Sequence, residues 1–126
     1  MFEIIFYEDK RENSEVEDYI RKLHSEKDTS KDISIKFNKI IEYLGYLEKD
    51  GLRIGEPFIK HVEGEIWELR PIKDRFMLAY VKDNRFILLT HFVKQTQKTP
   101  PKEIRKAKAK LTEFLERSQK NYEEYR

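Results

Sequence analysis

The chain contains no cysteine. A disulfide frame and a thiolate metal site are both excluded, zinc is not expected, and the composition suits a reducing cytoplasm. It also lacks a long apolar run. The opening MFEIIFYEDKRENS soon turns charged, so neither a secretory signal nor a membrane span is expected, and the reading is of a cytoplasmic protein with no membrane partner. No internal repeat and no linker composition breaks the chain. At 126 residues it has length for one two-layer core, so residues 1–126 are read as a single domain with one site.

What is present is charge and aromatic surface. Charged residues make up 40% of the chain and aromatics 13%, which gives a heavily solvated surface over a chain that folds. The net charge of +2 conceals an asymmetry. Residues 1–63 carry 11 Lys/Arg against 15 Asp/Glu, residues 64–110 carry 12 against 5, and residues 111–126 carry 3 against 4. Positive charge is therefore concentrated in one central stretch, where an anionic ligand would be drawn. A purely solvating role for such runs is the bland alternative.

Alternation of Phe2, Ile4 and Phe6 with their neighbours predicts a first strand. Ser14 followed by Glu17 has the spacing of a helix start, and Val16, Tyr19, Ile20 and Leu23 supply its apolar stripe. Ser30 caps a second helix whose stripe runs from Ile33 to Leu47, ended by Asp50-Gly51. Residues 52–63 read as a connector in which His61, with no second ligand at metal spacing, carries little weight. Thr99 before Pro100 and Pro101 predicts the capped start of a last helix, and residues 118–126 are expected to fray.

Between these helices lie three strands. A two-residue turn at Asp83-Asn84 sets Arg75 opposite Phe92 and Met77 opposite Thr90, and a wider turn over Pro71 to Asp74 sets Glu68 opposite Met77. Because side chains alternate, one face collects Trp67, Leu69, Phe76, Leu78, Tyr80, Ile87, Leu89, His91 and Val93 as a core. The other collects Glu68, Arg70, Arg75, Met77, Thr90, Phe92 and Lys94, with Lys98 just beyond. Cations on neighbouring strands repel, so this second face serves either an anion or a solvated rim.

The order GEIWELR, RFMLAY, HFVKQTQKTP resembles the HigB-type toxins of the RelE/ParE toxin–antitoxin superfamily. Those toxins show a W/Y-E-L-R strand, an arginine-bearing aromatic strand and an F-x-K-K-x-x-x-T-P junction. The resemblance covers roughly residues 1–117, with its diagnostic positions between 64 and 101. It implies an α+β, RelE-like fold: an N-terminal strand and helical hairpin packed on a small antiparallel sheet, closed by a C-terminal helix. It also implies a type II toxin that cleaves mRNA without a metal or cofactor, commonly on the ribosome, and a HigA-like helix-turn-helix antitoxin as partner.

By position Arg70 matches the arginine of the first motif, and Lys94 the first lysine of the junction. Met77 and Gln95 stand where many relatives carry a further arginine and lysine. Arg75 and Lys98 are the nearby cations that would replace them. The expected catalytic set is Arg70, Arg75 and Lys94, with Lys98, Phe92 and Lys73 as RNA contacts.

The chemistry asked of such residues is limited. RNA brings its own 2′-hydroxyl nucleophile, so the protein must orient it, remove its proton and stabilise charge on phosphorus and the leaving oxygen. Arginine forks suit the phosphate oxygens. A lysine near its ordinary pKa of ~10.4 is a poor base, which crowding by two arginines would improve. His91 is a more natural proton-transfer group, but the register turns it inward, and the packed role is preferred. Three rivals remain: a toxin of the same fold acting on a protein target such as gyrase, a non-catalytic module binding RNA or an acidic protein, and a basic structural or phage protein with no toxicity.

Overall fold

The structure is a computed structural model that describes residues 1–124. Strand β1 (Glu3–Phe6) leads into helices α1 (Glu15–Glu26) and α2 (Lys31–Asp50), then a 3-10 turn (Gly51–Ile54). Strands β2 (Ile59–Glu63), β3 (Ile66–Leu69), β4 (Asp74–Val81) and β5 (Arg85–Val93) follow, and helix α3 (Pro101–Glu124) closes the chain. The strands form one sheet in the order β1-β5-β4-β3-β2. The class is α+β, as expected. The sheet, however, is mixed rather than wholly antiparallel, because β1 runs parallel to β5 once the helical pair has carried the chain back across one face.

Both early helices start as their caps dictate. The Ser14 hydroxyl accepts the Glu17 amide at 3.1 Å, and Ser30 does the same for Ile33 at 3.4 Å. Val16, Leu23, Ile40, Leu44 and Leu47 then face the sheet and bury against Leu69, Phe76, Leu78, Phe86 and Leu88. Each such side chain contributes about 1.5–3 kcal/mol through burial. Thr99, by contrast, does not cap α3. Its hydroxyl donates to Glu68 Oε2 at 2.9 Å, and α3 begins with Pro101 at its first position, where the missing N–H costs nothing.

The opposite face of the sheet is covered by α3, whose Ala107 and Leu111 pack on Ile66, Met77, Ala79, Ile87 and Leu89. A latch to the N-terminal strand fixes it: Tyr7 donates to Glu113 at 2.7 Å, and Arg117 donates to the carbonyl of Glu8 at 2.6 Å. Burial and the Glu113 carboxylate push the Tyr7 phenol up to about 12. The helix continues to Glu124 through most of the segment expected to fray, and residues 125–126 lie outside those described.

Two departures change the faces. The hairpin closes at Val81–Arg85, leaving a longer loop in which Asp83 and Asn84 take left-handed φ of 65° and 57°. A β-bulge between Met77 and Leu78 then restores the expected pairings of Met77 with Thr90 and Arg75 with Phe92. Between turn and bulge the alternation is reversed, so Ile87 and Leu89 belong under α3 rather than with Phe76 and Leu78. The second departure is β2, which pairs antiparallel with β3 where a connector was expected. Tyr80 and Val93, expected in the core, are instead 44% and 39% exposed, each lining a hollow beside one end of α2.

Candidate functional site

Glu68 organises the α3-side face at the end of the sheet where cations gather. It sits in β3 opposite Met77 on one flank and opposite Lys60 of β2 on the other. Its carboxylate is almost wholly buried and receives the Thr99 hydroxyl, which ties the loop before α3 to the sheet. Arg70 and Arg75 both point at the same oxygen, with Nε at 3.4 and 3.8 Å from Oε1. A single carboxylate thus faces two guanidinium groups, and the local balance stays positive.

The two arginines differ in what else they touch. Arg75 has a side chain only 7% exposed, and its Nη1 donates to the carbonyls of Ile72 and Asp74, both at 2.9 Å. Those bonds hold the β3–β4 turn, in which Ile72 adopts a left-handed φ of 57°. Burial, with Arg70 adding to it, draws the Arg75 pKa down from its usual value. Arg70 is 21% exposed, its Nε is buried without a hydrogen-bond partner, and it opens onto a cavity of about 310 Å³.

That cavity runs between β2, β3 and the loop into α3. Around its wall stand Lys60, Arg70 and Lys98, with Glu68, His61 and Gln97. His61 Nε2 lies 2.7 Å from the Gly64 carbonyl, which can only accept, so Nε2 carries a hydrogen and the Nδ1 side of the ring is the one not engaged by that bond. Lys94 is not in the wall but donates to Gln97 at 3.3 Å, so it acts on the cavity through the loop.

Of the expected site residues, Arg70 and Lys98 are brought together; Arg75 is beside them but pinned. Phe92 is half-buried in the cluster under α3, as a strand aromatic that packs rather than one that offers a face. Lys73 lines a separate hollow with Lys36, Asp74 and Val93 on the helical-pair side. His91 faces inward, with Nε2 at 2.7 Å from Asp74 Oδ1 and its ring stacked on Tyr19 at 3.7 Å. The sequence does not single out Lys60 and gives His61 little weight, because a segment holding Gly55 and Pro57 does not alternate cleanly and only β2–β3 pairing delivers both to the cavity.

The family model for phage-derived Gp49-like proteins (DUF891) matches residues 18–112, from α1 into α3 and across the whole cavity wall. The chain belongs to the Gp49-like family. That is a RelE/toxin-like family of toxin–antitoxin systems, in accord with the α+β fold. A toxin kind of function and an antitoxin partner follow at that level for a Gp49-like chain. No curated protein matches the sequence. Among the described residues no helix is long and apolar enough to cross a membrane, and no three His, Cys, Asp or Glu side chains gather as a metal-holding group.

Proposed function

We propose that this Gp49-like chain is the toxin of a toxin–antitoxin pair and cleaves mRNA in the cavity at Arg70, on the translating ribosome. One observation carries the reading: three cations from three separate segments, Lys60, Arg70 and Lys98, converge on one cavity, where the Arg70 side chain stays partly exposed beside Glu68. A phosphate supplies counter-charge to such a group of cations.

In this mechanism Arg70 holds a nonbridging oxygen of the scissile phosphate and stabilises the charge that grows on it. His61 Nδ1 takes the proton of the 2′-hydroxyl as its oxygen attacks phosphorus in line. The P–O5′ bond breaks, Lys98 or Lys60 gives a proton to the departing 5′-oxygen, and a 2′,3′-cyclic phosphate remains. Arg75 and Lys94 act as positioning residues, the first by holding the β3–β4 turn and the second by holding Gln97. Among the described residues no carboxylate bonds to the His61 ring to orient it, which is why alignment of the RNA by the ribosome is part of the proposal.

The test is cleavage mapping after induction in cells, with purified protein assayed on free RNA and on mRNA bound to ribosomes. Cleavage on ribosomes that Arg70→Ala abolishes is the expected result. Equal rates on free RNA would remove the ribosome from the reading. Intact transcripts with undiminished growth arrest would instead favour a toxin acting on a protein target, a reading supported by the confinement of Arg75 and by the place of Lys94 outside the cavity wall.

A further inference from the structure

Tyr80 is the one exposed residue of β4, although β4 lies in the middle of the sheet and seven of its eight residues are buried. Its exposure has a structural cause. Helix α2 stops at Asp50, Gly51 turns the chain with φ +62°, and the helical pair ends short of Tyr80. The Phe2 ring fills the space at Gly51 so closely that a Cβ there would lie 2.7 Å from Phe2 Cε2. Phe2 is thereby fixed as one wall of a hollow of about 510 Å³, with Tyr80, Phe86 and Leu52 as others and Lys49, Asp50 and Arg53 at its edge.

Phe2 and Phe86 meet Tyr80 edgewise, at 81° and 73°, so neither lies flat on it, and Tyr80 remains 44% exposed. The Tyr80 hydroxyl donates to Asn84 Oδ1 at 3.4 Å, which fixes the ring's tilt. Lys49 and Arg53 enter no ion pair among the described residues. The hollow therefore combines an aromatic platform, two unpaired cations and one carboxylate, within the volume range of small-ligand sites. It lies on the helical-pair face, at the far end of β4 from Arg75 and the cavity of Arg70.

We propose that this hollow binds a nucleoside 5′-monophosphate unit. The base stacks on Tyr80, the phosphate lies between Lys49 and Arg53, and Asp50 accepts hydrogen bonds from the ribose hydroxyls. The unit is either a free nucleotide or one residue of a single-stranded RNA. This site is separate from the cavity at Arg70 and does not depend on cleavage there.

The experiment is an NMR and calorimetric titration in the Arg70→Ala background, which removes the cavity's main anion ligand. The probes are AMP, inorganic phosphate and a 2′-O-methyl oligoadenylate that offers no nucleophilic hydroxyl. AMP is expected to move the resonances of Tyr80, Phe86 and Arg53; Tyr80→Ala to weaken it by about tenfold or more; and Tyr80→Phe to retain it. Arg53→Gln provides a second variant, expected to weaken AMP while leaving the fold intact, since Arg53 makes no ion pair. Tighter binding of the oligonucleotide than of AMP assigns the site to an RNA chain, and equal or weaker binding assigns it to a free nucleotide. The proposal is overturned if AMP moves none of these resonances, if phosphate alone reproduces its effects, or if Tyr80→Ala binds AMP unchanged. Loss of RNA cleavage elsewhere leaves this outcome untouched.

Discussion

Two polar clusters lie at the same end of the sheet on opposite faces, and they are built to different rules. On the helical-pair face Asp74 is buried and its Oδ1 is well partnered: it accepts the Tyr19 hydroxyl at 2.6 Å, is 2.7 Å from His91 Nε2, and has Lys36 Nζ 3.7 Å away. On the α3 face Glu68 is equally buried, yet the cations around it outnumber it and Arg70 stays partly exposed at the cavity. A closed network of satisfied groups holds structure together. An open one with surplus charge is disposed to take a ligand. Partnering, more than residue type, distinguishes the two clusters, with His91 in the first and Arg70 in the second.

The sharpest way to break this comparison is at Asp74. Asp74→Ala strands two polar partners in a buried layer and should destabilise the fold by about 3 kcal/mol, lowering the melting temperature by on the order of 10 °C. A shift of only a degree or two would show that the network is not a structural hub. Arg70→Ala should do the reverse. We expect activity to fall by roughly 10²–10³ in the cleavage or growth-arrest assay while the melting temperature stays within a few degrees. Unchanged toxicity with an intact fold would sink the assignment of the α3 face as the site.

Arg75→Ala tests the boundary between the two classes. Loss of its bonds to the Ile72 and Asp74 carbonyls should cost about 1–3 kcal/mol, so stability and activity fall together, unlike in Arg70→Ala. A variant stable to heat but inactive would return Arg75 to the phosphate clamp. The latch of α3 gives a smaller effect with a pH signature. The Tyr7 phenol is raised from 10.0 to about 12 in the folded chain, so its contribution is complete below pH 10 and declines as pH rises toward 12, where the unfolded chain ionises first. Denaturant melts across that window should fall more steeply for the unaltered protein than for Tyr7→Phe, and parallel curves would contradict the assignment. Smallest of all, Lys94→Ala should change activity by only a few-fold, because the side chain reaches the cavity through Gln97. A loss as large as that of Arg70→Ala would make Lys94 a direct participant.

The helices were legible because each is announced locally. Ser14 and Ser30 sit where a cap must sit, and the stripes from Val16 to Leu23 and from Ile33 to Leu47 have one period along one segment. The pairings of Arg75 with Phe92 and Met77 with Thr90 were also legible, though partly through cancellation: the longer hairpin loop shifts the register by one and the bulge shifts it back. A bulge has no strong local signature, so Ile87 and Leu89 were assigned to the wrong face. Arg70 and Lys94 could be named from motif order and Lys98 as a nearby cation, whereas Lys60 could not be named and His61 carried little weight, since both depend on a strand whose existence is set by pairing with β3.

The sequence by itself therefore determined the α+β class, the two capped helices, the central strands and the concentration of positive charge on one stretch, because caps, periodicity and charge are properties of neighbouring residues. Only the tertiary structure decided which cations are free. Arg70 and Arg75 are chemically alike, but one turns inward to hold the carbonyls of Ile72 and Asp74 while the other opens onto the cavity with Lys60 and Lys98. That difference arises from what surrounds each guanidinium after the sheet, its turn and α3 have closed around it, and no local pattern carries it.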